Sequence, residues 1–109
     1  VAFSPKILGQ SVPAGSITTL YTVPSATTTV VSTIAVANTT GSSATATIYI
    51  CKAGATAATS NALVYAAPVT ANNTTFFTLG VTLAATDVIQ VNSGTSGSLT
   101  FHAFGSELS

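Results

Sequence analysis

Segments that alternate with a period of two, each closed by proline, glycine or an asparagine cluster, run through this chain from one end to the other. Thr, Ser, Ala and Val fill them, and β-branched side chains suit a pleated surface while losing rotamer freedom in a helix. In residues 16–23, Ile17, Thr19, Tyr21 and Val23 share one face and Thr18, Leu20 and Thr22 the other. Pro24, which has no N–H for a ladder, then ends the run. Residues 30–38 repeat the pattern, with Val30, Ser32, Ile34 and Val36 opposite Val31, Thr33, Ala35 and Ala37. Both faces are apolar or small, which predicts a central strand.

The turn cluster 38–43 separates this segment from residues 44–52, where Ile48 and Ile50 oppose Tyr49 and Cys51, and the two are expected to pair as a long hairpin. Residues 53–60 are expected to form a surface loop or short helical turn. Residues 61–66 carry Leu63 and Tyr65 on a short strand closed by Pro68. Residues 74–79 set Phe76 and Thr78 against Thr75, Phe77 and Leu79 and stop at Gly80. A final hairpin is expected from residues 88–92 and 99–104 across 93–98, with Leu99, Phe101 and Ala103 opposing Thr100, His102 and Phe104.

A weak first strand at residues 6–10 brings the total to about eight, closely spaced, which predicts an all-β fold: one antiparallel β-sandwich, jelly-roll-like. The threonine clusters at 27–29, 45–47 and 74–75 are too irregularly spaced for a solenoid. A length of 109 residues allows one domain, 1–109, with 1–10 and 105–109 as extended arms.

Charge narrows the function. Only 4% of the residues are charged, against about 25% in ordinary soluble domains. Lys6, Lys52, Asp87 and Glu107 are all of them, the net charge is zero, and His102 is the one residue suited to titrate near neutrality. Such a chain lacks the self-repulsion that keeps proteins apart, so association with copies of itself or a scaffold is expected. Two lysines and no arginine argue against a nucleic-acid partner. No apolar run has the roughly 18–20 residues of a membrane span, and no basic-then-apolar leader opens the chain. A start at Val1 and the absence of methionine fit initiator removal or processing.

Chemistry has little to work with. Asp87, His102 and a serine supply the residue types of a hydrolase triad, but there is no Gly-x-Ser-x-Gly elbow, and a serine-rich chain brings those types together by composition alone. Asp87 reads better as a turn residue accepting backbone N–H bonds, and His102 as a strand residue facing solvent or a subunit boundary. Asp87 and Glu107 are a bare minimum for a glycosidase pair, with Glu107 in a tail. Cys51 is the lone cysteine and reads as a buried thiol, with Lys52 pointing to the opposite face. One His, one Cys and two scattered carboxylates make a poor metal set. No catalytic residue, cofactor or metal is expected. Asn38, Asn72 and Asn73 head acceptor patterns for glycosylation, which matter only in a secreted eukaryotic protein. Of the large aromatics Tyr21, Tyr49, Tyr65, Phe76, Phe77, Phe101 and Phe104, most belong in a core; Tyr21, Tyr49, Tyr65 and Phe104 are the expected interface anchors.

Four segments carry a resemblance: Leu20-Tyr21-Thr22-Val23-Pro24, Val31-Ser32-Thr33-Ile34-Ala35-Val36-Ala37-Asn38, Leu83-Ala84-Ala85-Thr86-Asp87-Val88-Ile89 and Phe101-His102-Ala103-Phe104-Gly105-Ser106-Glu107-Leu108. In this order they resemble small virion structural proteins of tailed bacteriophages, whose patterns read L-Y-T-V-P, V-S-S-I-x-V-x-N, L-x-x-G-D-x-I and F-x-x-F-G-x-E. Thr86 stands where that family usually has glycine before the aspartate. The resemblance implies a capsid decoration (cement) protein or a tail or fibre-tip accessory. Small size, no fibre-shaft repeat and scarce charge favour cement: a trimer or dimer on the outer capsid surface, bridging copies of the major capsid protein. The alternatives are a tail location with tail proteins as partners, or a carbohydrate-binding sandwich in which Tyr65 stacks on sugar rings.

Overall fold

The computed structural model describes residues 3–13, 16–94 and 97–108. Eight strands are present among the described residues: β1 (Phe3–Ser11), β2 (Thr18–Thr22), β3 (Thr28–Asn38), β4 (Ala44–Cys51), β5 (Ala62–Val69), β6 (Thr74–Leu83), β7 (Val88–Ser93) and β8 (Leu99–Leu108). They form two four-stranded sheets, ordered β1-β8-β3-β6 (sheet I) and β2-β7-β4-β5 (sheet II). Every pairing is antiparallel. This is an eight-stranded jelly roll, a double-sheet fold. Residues 53–60 lie between and within two 3-10 turns, at Lys52–Gly54 and Thr59–Asn61. No helix among the described residues is long and apolar enough to cross a membrane.

Consecutive strands mostly alternate between the sheets, and only β4 and β5 are both sequential and paired. The two expected hairpins are therefore corrected: β3 and β4 lie in different sheets, as do β7 and β8. The reason is layer packing. Each strand has one apolar side to bury, sheets stack about 10 Å apart, and the long connections after Asn38 and Ser93 cross from one layer to the other. Asn38 secures the first crossing. Its Nδ2 donates to the carbonyls of Ser42 (2.8 Å) and of Val69 in β5 (3.1 Å), and its Oδ1 accepts from the backbone N–H (2.9 Å) and hydroxyl (2.8 Å) of Thr40. The amide that heads one glycosylation pattern is thus spent inside the fold, 3% exposed.

β3 is interior in its sheet, as its two apolar faces predict. Its faces are not the ones simple alternation assigns. The register slips between Val31 and Thr33 against both neighbours, so Thr29 and Val31 are buried before the bulge and Ile34 and Val36 after it, while Val30 is exposed. One extra residue exchanges the faces of everything beyond it. Gly80, expected to end β6, lies within that strand at the same irregularity with φ +64°, a conformation that glycine adopts without strain. Pro68 likewise sits inside β5, an edge strand, where a missing N–H breaks no ladder.

Phe101, Ile34, Ile48, Leu83, Ile89 and Leu99 are the largest fully buried side chains between the sheets. In β8, Leu99, Phe101 and Ala103 are buried and Thr100, His102 and Phe104 only half so, as expected. Residues 3–10 and 105–108 are not arms but strand: β1 pairs with β8 from Phe3 opposite Leu108 to Ser11 opposite Phe101. Val1, Ala2 and Ser109 lie outside the described residues. Gly105 is required by close approach, since a Cβ there would meet the Val30 carbonyl and the Val31 Cα of β3.

Candidate functional site

The register of sheet I lays its outer face out in rows. Gln10, His102, Ala35 and Phe76 form one; Ile7, Phe104, Thr33 and Thr78 a second; Pro5, Ser106, Val30 and Thr82 a third. The His102 and Phe104 rings stack with centroids 6.3 Å apart, and the His102 Nδ1 lies 3.0 Å from the Gln10 Nε2. Phe76 is 65% exposed, Ile7 55% and Val30 37%. None of the four charged residues falls in these rows, which present apolar and hydroxyl groups together with the Gln10 amide and the His102 ring. Patches of this kind mark contact surfaces more often than single exposed leucines do.

The charges are held elsewhere. Lys6 Nζ contacts Glu107 Oε1 at 2.5 Å, and the Glu107 carboxylate also accepts the hydroxyl of Tyr21, which lies 2.8 Å from the Thr29 hydroxyl. This cluster joins β1 and β8 of sheet I to β2 of sheet II, and it corrects the reading of Glu107 as a tail residue. Lys6 and then Tyr21 hold the Glu107 carboxyl below its ordinary range. Burial and then the Glu107 carboxylate push Tyr21 up to about 12.

A depressed carboxyl stabilises the fold fully above its unfolded value of about 4.3, and that contribution is lost as the pH falls through the folded value. Tyr21 works in the opposite sense, its contribution present below about 10 and lost as the pH rises towards the folded value. Melting scans from neutral to acid pH should show the wild type losing stability below about pH 4.5. Glu107→Gln should start lower and show a flatter acid limb; an acid limb as steep as the wild type's would show that other groups set it.

The remaining candidates are structural in their surroundings. Asp87 caps the β6–β7 turn, its two oxygens accepting the N–H groups of Ala53 and Ala84, each at 2.9 Å. Thr86 has φ +70°, a left-handed conformation that glycine would adopt without strain and that costs a threonine about 1 kcal/mol. Asp87 and His102 keep different partners on different elements. Cys51 is buried, its thiol pushed up by burial, and its Sγ donates to Gln90 Oε1 at 3.6 Å. No group of three or more His, Cys, Asp or Glu able to hold a metal occurs among the described residues. An open depression of about 370 Å³ lies between Ile17, Gly54, Ala55, Thr56, Ala57 and Gln90.

Of the expected anchors, Tyr21 and Tyr49 are each 8% exposed, so their rings serve the fold and neither is free to enter a partner. Tyr65, 63% exposed, and the half-buried Phe104 remain at the surface. Phe76, Ile7 and Val30 belong with them, beyond the anchors that the sequence predicts. Alternation separates Phe76 from Phe77, but only the sheet assignment says which ring points outwards.

No family model matches this chain, and no curated protein does. Among solved structures it is similar to a chain in the structure of infectious bursal disease virus Gx strain, with a TM-score of 0.53 at 13% identity over 97% of this chain and 31% of that one. A chain in the structure of the Gt strain of the same virus gives 0.49 at 13% identity over 97% and 30%. The chain spans about a third of the length of these neighbours. At such identity the likeness is one of fold.

Proposed function

We propose that this chain is a structural subunit of a virus particle and, within that class, a phage capsid decoration protein. It would sit on the outer shell at joints between copies of the major capsid protein. The observation that carries the reading is the uncharged outer face of sheet I, where Ile7, Val30, Phe76 and Phe104 are presented by a rigid jelly roll. The fold neighbour from a virus structure and the four phage-like segments support it from independent directions. A protein that binds only the assembled shell stabilises that shell by linkage, with no chemistry required.

The tail-accessory reading differs in stoichiometry. Quantitative mass spectrometry of purified particles is expected to find on the order of hundreds of copies per particle, one set per local symmetry element of the shell. About a dozen or fewer would move the chain to the tail, where symmetry axes are few. Absence from purified particles would overturn the virion role. The carbohydrate-binding reading has less support, since the exposed rings of Tyr65 and Phe76 belong to different sheets.

A further inference from the structure

A jelly roll leaves four strand edges open, and unpaired edges are templates for another chain unless charge, proline, bulges or shortness blunt them. Three of the four are blunted here. β1 carries Pro5 and Lys6 and slips register between Ile7 and Gly9. β2 has five residues and a slip between Thr19 and Tyr21. β5 contains Pro68 and slips twice against β4. β6 is the exception: its ten residues, TTFFTLGVTL, include no charge and no proline. Its one irregularity lies towards the far end, leaving Thr74 to Thr78 in regular register with β3.

We infer that β6 is the edge at which a second copy of this chain pairs, antiparallel across a two-fold axis, joining two copies of sheet I into one eight-stranded sheet. The inference rests on the assembly reading and names a partner for it. The chemistry of β6 selects a copy of itself. In an antiparallel two-fold pair residue i meets residue j and j meets i, and only the residue at the axis meets its own copy, so a charge near the axis would lie against a like charge, which destabilises a sheet. β6 has none to face. It supplies instead threonine and phenylalanine, whose like-with-like pairs across strands are favourable. A charged partner strand would find nothing on β6 to recognise. Pairing would also shelter Phe76, 65% exposed, and make the uncharged outer faces of the two sheets continuous. β8 is excluded from this role because both its sides are occupied, and β1 is blunted.

Sedimentation equilibrium of the whole chain tests this. The wild type is expected to form a dimer. Of Thr78→Lys and Phe76→Lys, both at exposed positions, the one nearer the axis is expected to weaken it at least about 100-fold by setting like charges together. Ile7→Lys, on the opposite edge of the same sheet, should leave it within about threefold. Circular dichroism confirms the fold of each variant. If either lysine variant fails to fold, cysteines placed singly at each position from Thr74 to Thr78 decide the matter, since the one at the axis should give a disulfide-linked dimer on oxidation. A monomeric wild type, unchanged dimerisation in the β6 variants, an equal loss in Ile7→Lys or no cross-link from any cysteine would each overturn the pairing. None of these results alters the copy number in particles, so failure of the edge and failure of the virion role stay distinguishable.

Discussion

Phe101→Ala is expected to remove about 3–5 kcal/mol of stability, the range for truncating a fully buried aromatic ring. Phe101 is the largest side chain with no exposure. It sits in β8, opposite Ser11 of β1 and Val36 of β3, and faces the strands of sheet II. Neither sheet closes over the gap easily, because β8 is locked on both sides and Gly105 holds β8 against the β3 backbone. A domain of this size has a total of about 5–15 kcal/mol, so the variant should be marginal at physiological temperature. Urea unfolding checks it through the midpoint at constant slope. Phe101→Leu keeps much of the volume and should cost clearly less. A loss below about 1 kcal/mol for the alanine variant would mean that the two sheets do not pack on this ring.

The fold class and strand count were legible because period-two patterning is a local property, and so was the inward face of β8, which has no register slip beyond Leu99 until past Ala103. Sheet membership was not. Pairing partners for β3 and β7 depend on which apolar faces meet across the sandwich, and adjacency in sequence suggested hairpins where the chain changes layer. The bulge at Ser32 was hidden for a related reason: no glycine or proline announces it, and it exchanges the faces of β3 midway. Gly80 and Pro68 were visible but read as stops, whereas a bulge and an edge position absorb them.

For the candidate surface, composition showed that charge was scarce without showing where it was absent. Lys6 and Glu107 are far apart in sequence, and only the pairing of β1 with β8 brings them together under Tyr21, clearing the outer face of sheet I. The same pairing turned the expected arms into strands. Tyr21 and Tyr49, expected as anchors, are each 8% exposed, which assigns them to the fold.

The shell itself provides the second large effect. If uncharged faces of this subunit hold neighbouring capsid subunits together, particles assembled without it should lose their contents under heat or osmotic shock at least about tenfold faster than complete ones, equivalent to about 1.4 kcal/mol on the barrier. Adding the purified chain back should restore resistance by mass action, to a degree that rises with its concentration. A variant with lysine at Ile7 and Phe76, both on the outer face of sheet I, should restore much less. The direct measurement is the rate of genome release at raised temperature from particles with and without this protein. The account predicts rapid release without it and rescue on re-addition; equal rates in the two preparations would contradict it.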